Sequence, residues 1–153
     1  MQRLKNKEKV LAQAKLKQQA LIDDFENRIS EIRGSEMNMH KGQFDRNENS
    51  LNEANMELVD KLADQLDFAV KEMELLNKME LSVDSGNGVC LGTIVLTDQR
   101  TFFPSVSIES FDVDGLEIFG ISQHAPLYQE MRGKKPGDRF SFAELDYEVK
   151  AVF

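Results

Sequence analysis

The sequence predicts an α+β protein: an antiparallel coiled-coil helical hairpin, then a small, mainly antiparallel β-rich domain with one short helix. Three observations predict it. Up to about residue 81 there is no proline and only two glycines, Gly34 and Gly42, whereas all three prolines and the other glycines lie beyond. The apolar period changes from helical in the first half to alternating in the second. The runs of the second half are separated by turn-forming clusters such as DVDG and KKPGD. The division falls near VDSGNG, Val83 to Gly88, and gives domains at 1–81 and 82–153.

In the first helical run Leu4, Leu11, Leu21, Phe25, Ile29 and Ile32 recur near helical spacing, with Ala14 between and Gln18 interrupting the stripe. In the second, Val59, Leu62, Leu66, Ala69, Met73 and Leu76 alternate steps of three and four, an a/d heptad pattern. Each helix has one narrow apolar stripe, and the nearest partner for it is the other helix folded back. The break lies in RGSEMNMHKGQFDRNEN, where Gly34 or Gly42 suits a helix end and Asp45, Asn47 or Asn49 suits a helix start. A helix of about 30 residues spans about 45 Å, so the expectation is a rod with an acidic tip near 42–50.

Beyond the division, VCLGTIVLT, TFFPSVSI, LEIFGIS and DYEVKAVF are rich in β-branched and aromatic residues and predict strands. DVDG, Asp112 to Gly115, predicts a turn leading into a strand. In APLYQEMRGKKPGD, Pro126 suits the first turn of a short helix and Gly133 its end. KKPGD then predicts a tight turn centred on Pro136 and Gly137.

Charge and cysteine content narrow the function classes. The net charge is −8, which argues against wrapping duplex DNA. A single cysteine, Cys90, sits among apolar residues and predicts burial in a reducing, cytoplasmic compartment. No apolar run reaches membrane-spanning length, and MQRLKNKEKV lacks the apolar core of a signal peptide. There is no phosphate-cradling glycine loop, no HExxH and no CxxC, and His40 and His124 stand far apart. The basic residues Arg3, Lys5, Lys7, Lys9, Lys15 and Lys17 predict a solvated face. Phe102 and Phe103 beside Pro104 predict core.

The acidic knot at Asp45 and Glu48 remains. One reading is structural: acids at a helix start satisfy free amides and complement the dipole. The other is chemical: two carboxylates one turn apart can contribute to a shared Mg²⁺ site but do not make a tight one alone.

The order of hairpin, acidic tip and small C-terminal β-rich domain resembles the bacterial Gre transcript-cleavage factors. DRNEN, Asp45 to Asn49, looks like their Asp-x-x-Glu-Asn motif. LEIFGISQHAPLYQEMRGKKPGDRFSF is similar to the family's strand, Ser-Pro helix start and Gly-Lys-x-x-Gly-Asp turn, with Pro126, Gly133, Lys134, Gly137 and Asp138 at the family's spacing. VCLGTIVL, with Gly92, and DYEVKAVF resemble the opening and closing strands. The resemblance covers nearly the whole chain. It implies a monomer with an FKBP-like C-terminal domain, whose hairpin enters the secondary channel of RNA polymerase. Asp45 and Glu48 would then help hold a Mg²⁺ shared with the polymerase, with no metal bound tightly by the factor alone. The polymerase's own active site would cut backtracked RNA, so contact with the nascent 3′ end is indirect and the factor is not itself an enzyme. Asn49, Pro126, Gly133, Lys134, Gly137 and Asp138 would contact the polymerase. Three positions depart from the pattern: Phe44 stands where a glycine usually precedes the acid, Arg46 lies between the acids, and Ala125 replaces the serine before Pro126. The alternatives are a channel regulator without strong cleavage activity, or a coiled-coil interaction adaptor with a structural tip.

Overall fold

The computed structural model describes residues 2–39, 46–83 and 85–153, with side chains described for 6–34, 53–83 and 85–153. Two long helices, α1 (Gln2–Met39) and α2 (Arg46–Lys78), precede a mixed β domain. The chain forms two compact units, Gln18–Met73 and Met1–Lys17 with Glu74–Phe153.

Within Gln18–Met73 the helices run antiparallel. Leu21 and Phe25 share a groove with Phe68, and farther along α1 Arg33 shares one with Met56 and Val59. The predicted α2 stripe is the one observed: Leu62, Ala69 and Leu76 are buried, and Val59, Leu66 and Met73 half-buried. On α1 the stripe differs from the expectation. Ile22 is buried and Leu21 exposed, and Gln18 is buried at 1% exposure rather than breaking the seam. The reason is the period. Lys7, Gln18 and Ile29 are buried at an eleven-residue spacing, with Val10, Ala14 and Ile22 also buried and Leu11 and Phe25 half-buried between them. That repeat, near 3.67 residues per turn, stays on one face of an ordinary helix better than a strict heptad does. Leu4 belongs to the predicted stripe, but its side chain lies outside the described residues.

In the other unit, Lys7 corrects the expectation of a wholly solvated basic face. It is 4% exposed, and its Nζ donates to the Leu81 carbonyl at 2.7 Å. Position 7 lies on the buried face of α1, and the long lysine stem reaches a carbonyl just past the end of α2. Lys9 does face solvent, paired with Asp114 at 3.1 Å.

Six strands follow: β1 (Val95–Thr97), β2 (Thr101–Ser105), β3 (Ile108–Val113), β4 (Leu116–Ser122), β5 (Arg139–Phe142) and β6 (Leu145–Val152). They lie in the order β3-β4-β2-β1-β6-β5. All neighbours are antiparallel except β2 and β4, so the sheet is mixed. Two predicted strands are shorter than expected. VCLGTIVLT becomes strand only at Val95, and TFFPSVSI divides into β2 and the start of β3. Pro104 sits inside β2 without cost to the ladder. Its pairing with β1 ends at Phe102, and on that side the Pro104 carbonyl accepts from Gly92 N instead. The missing proline N–H points to the same side, where no strand needs it.

Alternation along β2 sends Phe102 and Phe103 to opposite faces, both at 2% exposure or less. On the Phe102 face lies a core with Val95, Ile121, Tyr147 and Val149, covered by Tyr128 and Met131 of the short helix α3 (Pro126–Met131). Phe140 stacks on Tyr147 with ring centres 4.9 Å apart, and Phe102 meets the same ring edge-on at 5.9 Å. These offset and edge contacts add about 0.5–1.5 kcal/mol each beyond area burial.

Candidate functional site

The predicted site residues fall into two sets. Of the acidic set, Asp45 lies outside the described residues, immediately before Arg46 in sequence. Glu48 and Asn49 fall in the first turn of α2, with side chains outside the described residues. An acid there complements the positive end of the helix dipole. Among the described residues no three or more His, Cys, Asp or Glu side chains cluster as a metal site.

The second set lies on α3 and in the loop that follows it. Pro126 opens α3 at its first turn, after Ala125 in an extended conformation with no side-chain cap. Ala125 has no hydroxyl to act as an acceptor at the helix start. Gly133 follows the helix, and its N–H donates to the Val89 carbonyl at 2.9 Å. Val89 N returns a bond to the Lys134 carbonyl at 2.9 Å. The next turn is closed by Asp138 N to the Lys135 carbonyl at 2.9 Å and by Lys135 N to Asp138 Oδ2 at 2.8 Å. Gly137, at φ 96, takes the left-handed position that follows proline in such a turn. Its N–H is held by the Val149 carbonyl at 2.8 Å, and Val149 N bonds the Asp138 carbonyl at 2.9 Å.

Each of these residues thus has a structural duty: Pro126 and Gly133 delimit a helix, and the others bind the loop to Val89 and β6. The loop is also displayed. Pro126, Gly133, Gly137 and Asp138 are exposed and Lys134 half-exposed. From Arg132 to Arg139 the sequence RGKKPGDR carries four bases and one acid, a basic ledge on a chain of net charge −8. A rigid, exposed, basic loop can receive an acidic surface with little ordering cost.

Sequence reasoning missed the polar pair inside the hairpin seam. Gln18 Nε2 donates to the Ala69 carbonyl at 2.8 Å and lies 3.4 Å from Glu72 Oε1, with all three residues buried. The signal was available: Gln18 is four residues from both Ala14 and Ile22. Sequence also missed Arg100, whose guanidinium lies 4.8 Å from the Phe119 ring centre. Burial pushes the Tyr128 phenol above its ordinary value; Arg132 opposes that shift and Cys90 adds to it.

No protein-family model, curated protein or solved structure matches the chain. No helix among the described residues is long and apolar enough to cross a membrane.

Proposed function

We propose that this chain is a cytoplasmic, Gre-type transcription elongation factor that binds RNA polymerase through its secondary channel and stimulates Mg²⁺-dependent cleavage of backtracked nascent RNA. The observation that carries the reading is the hairpin itself. Its two long helices share a seam, and the Asp-x-x-Glu-Asn pattern runs into the start of the second, with Glu48 and Asn49 in the first turn of α2. Asp45 and Glu48 would contribute carboxylates to a metal site completed by the polymerase, whose own active centre does the hydrolysis. The β domain, read here as FKBP-like, would dock through the basic ledge around Lys134 and Asp138.

The test is cleavage of 3′-labelled RNA in a stalled, backtracked elongation complex. Asp45→Asn with Glu48→Gln keeps the side chains' size and removes their charge. The double variant is expected to fold and to bind polymerase, but to lose stimulation of cleavage. Equal stimulation by both proteins would make the acids structural. Binding without stimulation by the wild type would select the channel-regulator reading, with Phe44 and Arg46 as the residues to replace first.

A further inference from the structure

The flank of the hairpin carries an apolar trough that the proposed function does not use. Leu21 and Phe25 of α1 and Phe68 and Ala69 of α2 line a groove of about 310 Å³ within the Gln18–Met73 unit. Phe68 is 60% exposed and Leu21 38% exposed. Neither is a seam position: the seam takes Ile22 and Ala69, their neighbours in sequence. An exposed phenylalanine facing a second apolar row marks an unfilled surface.

The rim identifies what would fill it. Asp64, Phe68 and Glu72 form one row on α2 at steps of four, about 12 Å long. Asp64 is exposed, and Glu72 lies deeper, near Gln18. Asp64 therefore sets an exposed carboxylate one turn from the aromatic, while Glu72 is engaged in the seam. The surrounding unit, residues 18–73, has thirteen acids and six bases, a net charge of −7. A second copy seated on this flank would set like charge against like charge. We infer that the groove receives a basic amphipathic helix of a protein partner, with one large apolar side chain between Leu21, Phe25 and Phe68 and a Lys or Arg a turn away beside Asp64. The inference stands on the hairpin alone and is independent of the polymerase reading.

The probe is a fluorescein-labelled amphipathic peptide about 15 residues long, with leucines at i, i+3, i+4 and i+7 and lysines beside them. Anisotropy is measured against the full chain at physiological ionic strength. The wild type is expected to bind saturably. Phe68→Ser and Asp64→Lys, both at exposed positions and checked for folding by circular dichroism, are expected to weaken binding about tenfold or more. The same peptide with glutamates for lysines is expected not to bind. No binding by the wild type, undiminished binding by Phe68→Ser, or equal binding of the glutamate peptide overturns the inference. So does concentration-dependent self-association in sedimentation velocity that Phe68→Ser abolishes, since a second copy would then be the occupant.

Discussion

Gly88→Ala tests how the candidate docking loop is held. Gly88 sits at φ 89, and an added Cβ would lie 2.4 Å from the Gly133 carbonyl oxygen and 2.8 Å from that of Lys134. Both neighbours are backbone and cannot rotate aside. Two terms follow. Left-handed backbone strain for a non-glycine residue costs about 1–3 kcal/mol. Displacing the loop loses the two Val89 bonds, to Lys134 O and from Gly133 N, each worth about 0.5–1.5 kcal/mol net. The sum is roughly 2–6 kcal/mol, a large part of a typical domain's stability. Gly115→Ala is the control, because Gly115 has φ 83 but nothing within 4 Å of the added Cβ; it carries the strain term alone. Tyrosine fluorescence during urea unfolding is the assay. The chain has two tyrosines and no tryptophan, and Tyr128 and Tyr147 are both buried in the β-domain core. The signal therefore reports that core and is silent on the helices. Gly88→Ala should lower the midpoint well beyond Gly115→Ala. Equal midpoints would refute the close-approach argument.

Burial pushes the Lys7 ammonium below its ordinary 10.5, against an opposing influence from Cys90. The folded state then gives up this proton before the unfolded chain does, so stability from Lys7 rises with pH between its lowered value and 10.5. Relative to Lys7→Met, the wild type should gain urea resistance as pH rises toward 10.5; parallel profiles would sink the idea. Tyr128 acts in the opposite direction, its contribution being lost as pH rises through its raised value, but it is common to both proteins and cancels. Leu66→Asp places a charge in the half-buried seam and should lower the helical melting temperature, by about 2–5 kcal/mol of stability; an unchanged melt would mean that Leu66 is no part of the seam. Gln18→Leu with Glu72→Leu replaces the buried polar pair by apolar groups and should leave stability equal or higher while loosening register. Spin labels at positions 30 and 60, in a Cys90→Ser background, should then show a broadened distance distribution, because a one-heptad slip moves the helices about 10 Å along their axes and adds a longer-distance population; a single narrow peak in both proteins would show that the pair does not set register.

Much of the fold was legible because strong local signals agree with it. The α2 heptad, the DVDG turn, the Pro126 helix start and the Pro136–Gly137 turn are all where their residues predict them. What was not legible depended on contacts distant in sequence. The burial of Lys7 follows from a carbonyl 74 residues away. The late start of β1 follows from Gly92 and Val89, whose backbone groups bond Pro104, Gly133 and Lys134 and so leave the strand ladder to begin at Val95. The parallel pairing of β2 with β4 is a choice among sheet orders that alternation alone does not make. At the candidate site, spacing placed Pro126 at the start of α3 and Gly133, Lys134, Gly137 and Asp138 in the stretch after it. It gave no hint that their backbones hold Val89 and β6 in place.

The seam's polar pair bears on the acidic stretch as well. A heptad stripe matches itself after a shift of seven residues, so the apolar positions of α2 do not by themselves choose one antiparallel register. Gln18 favours the observed one, where its amide donates to the Ala69 carbonyl and lies beside the Glu72 carboxylate. The residue midway in sequence between Gln18 and Glu72 is Asp45. A register fixed by that pair therefore leaves equal lengths of chain on either side of Asp45. The proposed mechanism needs its carboxylates near the start of α2, and a shifted register would change which residues of α1 lie opposite that start. A buried glutamine weakens an apolar seam, yet one that selects register ties the helices' packing to the position of the acids.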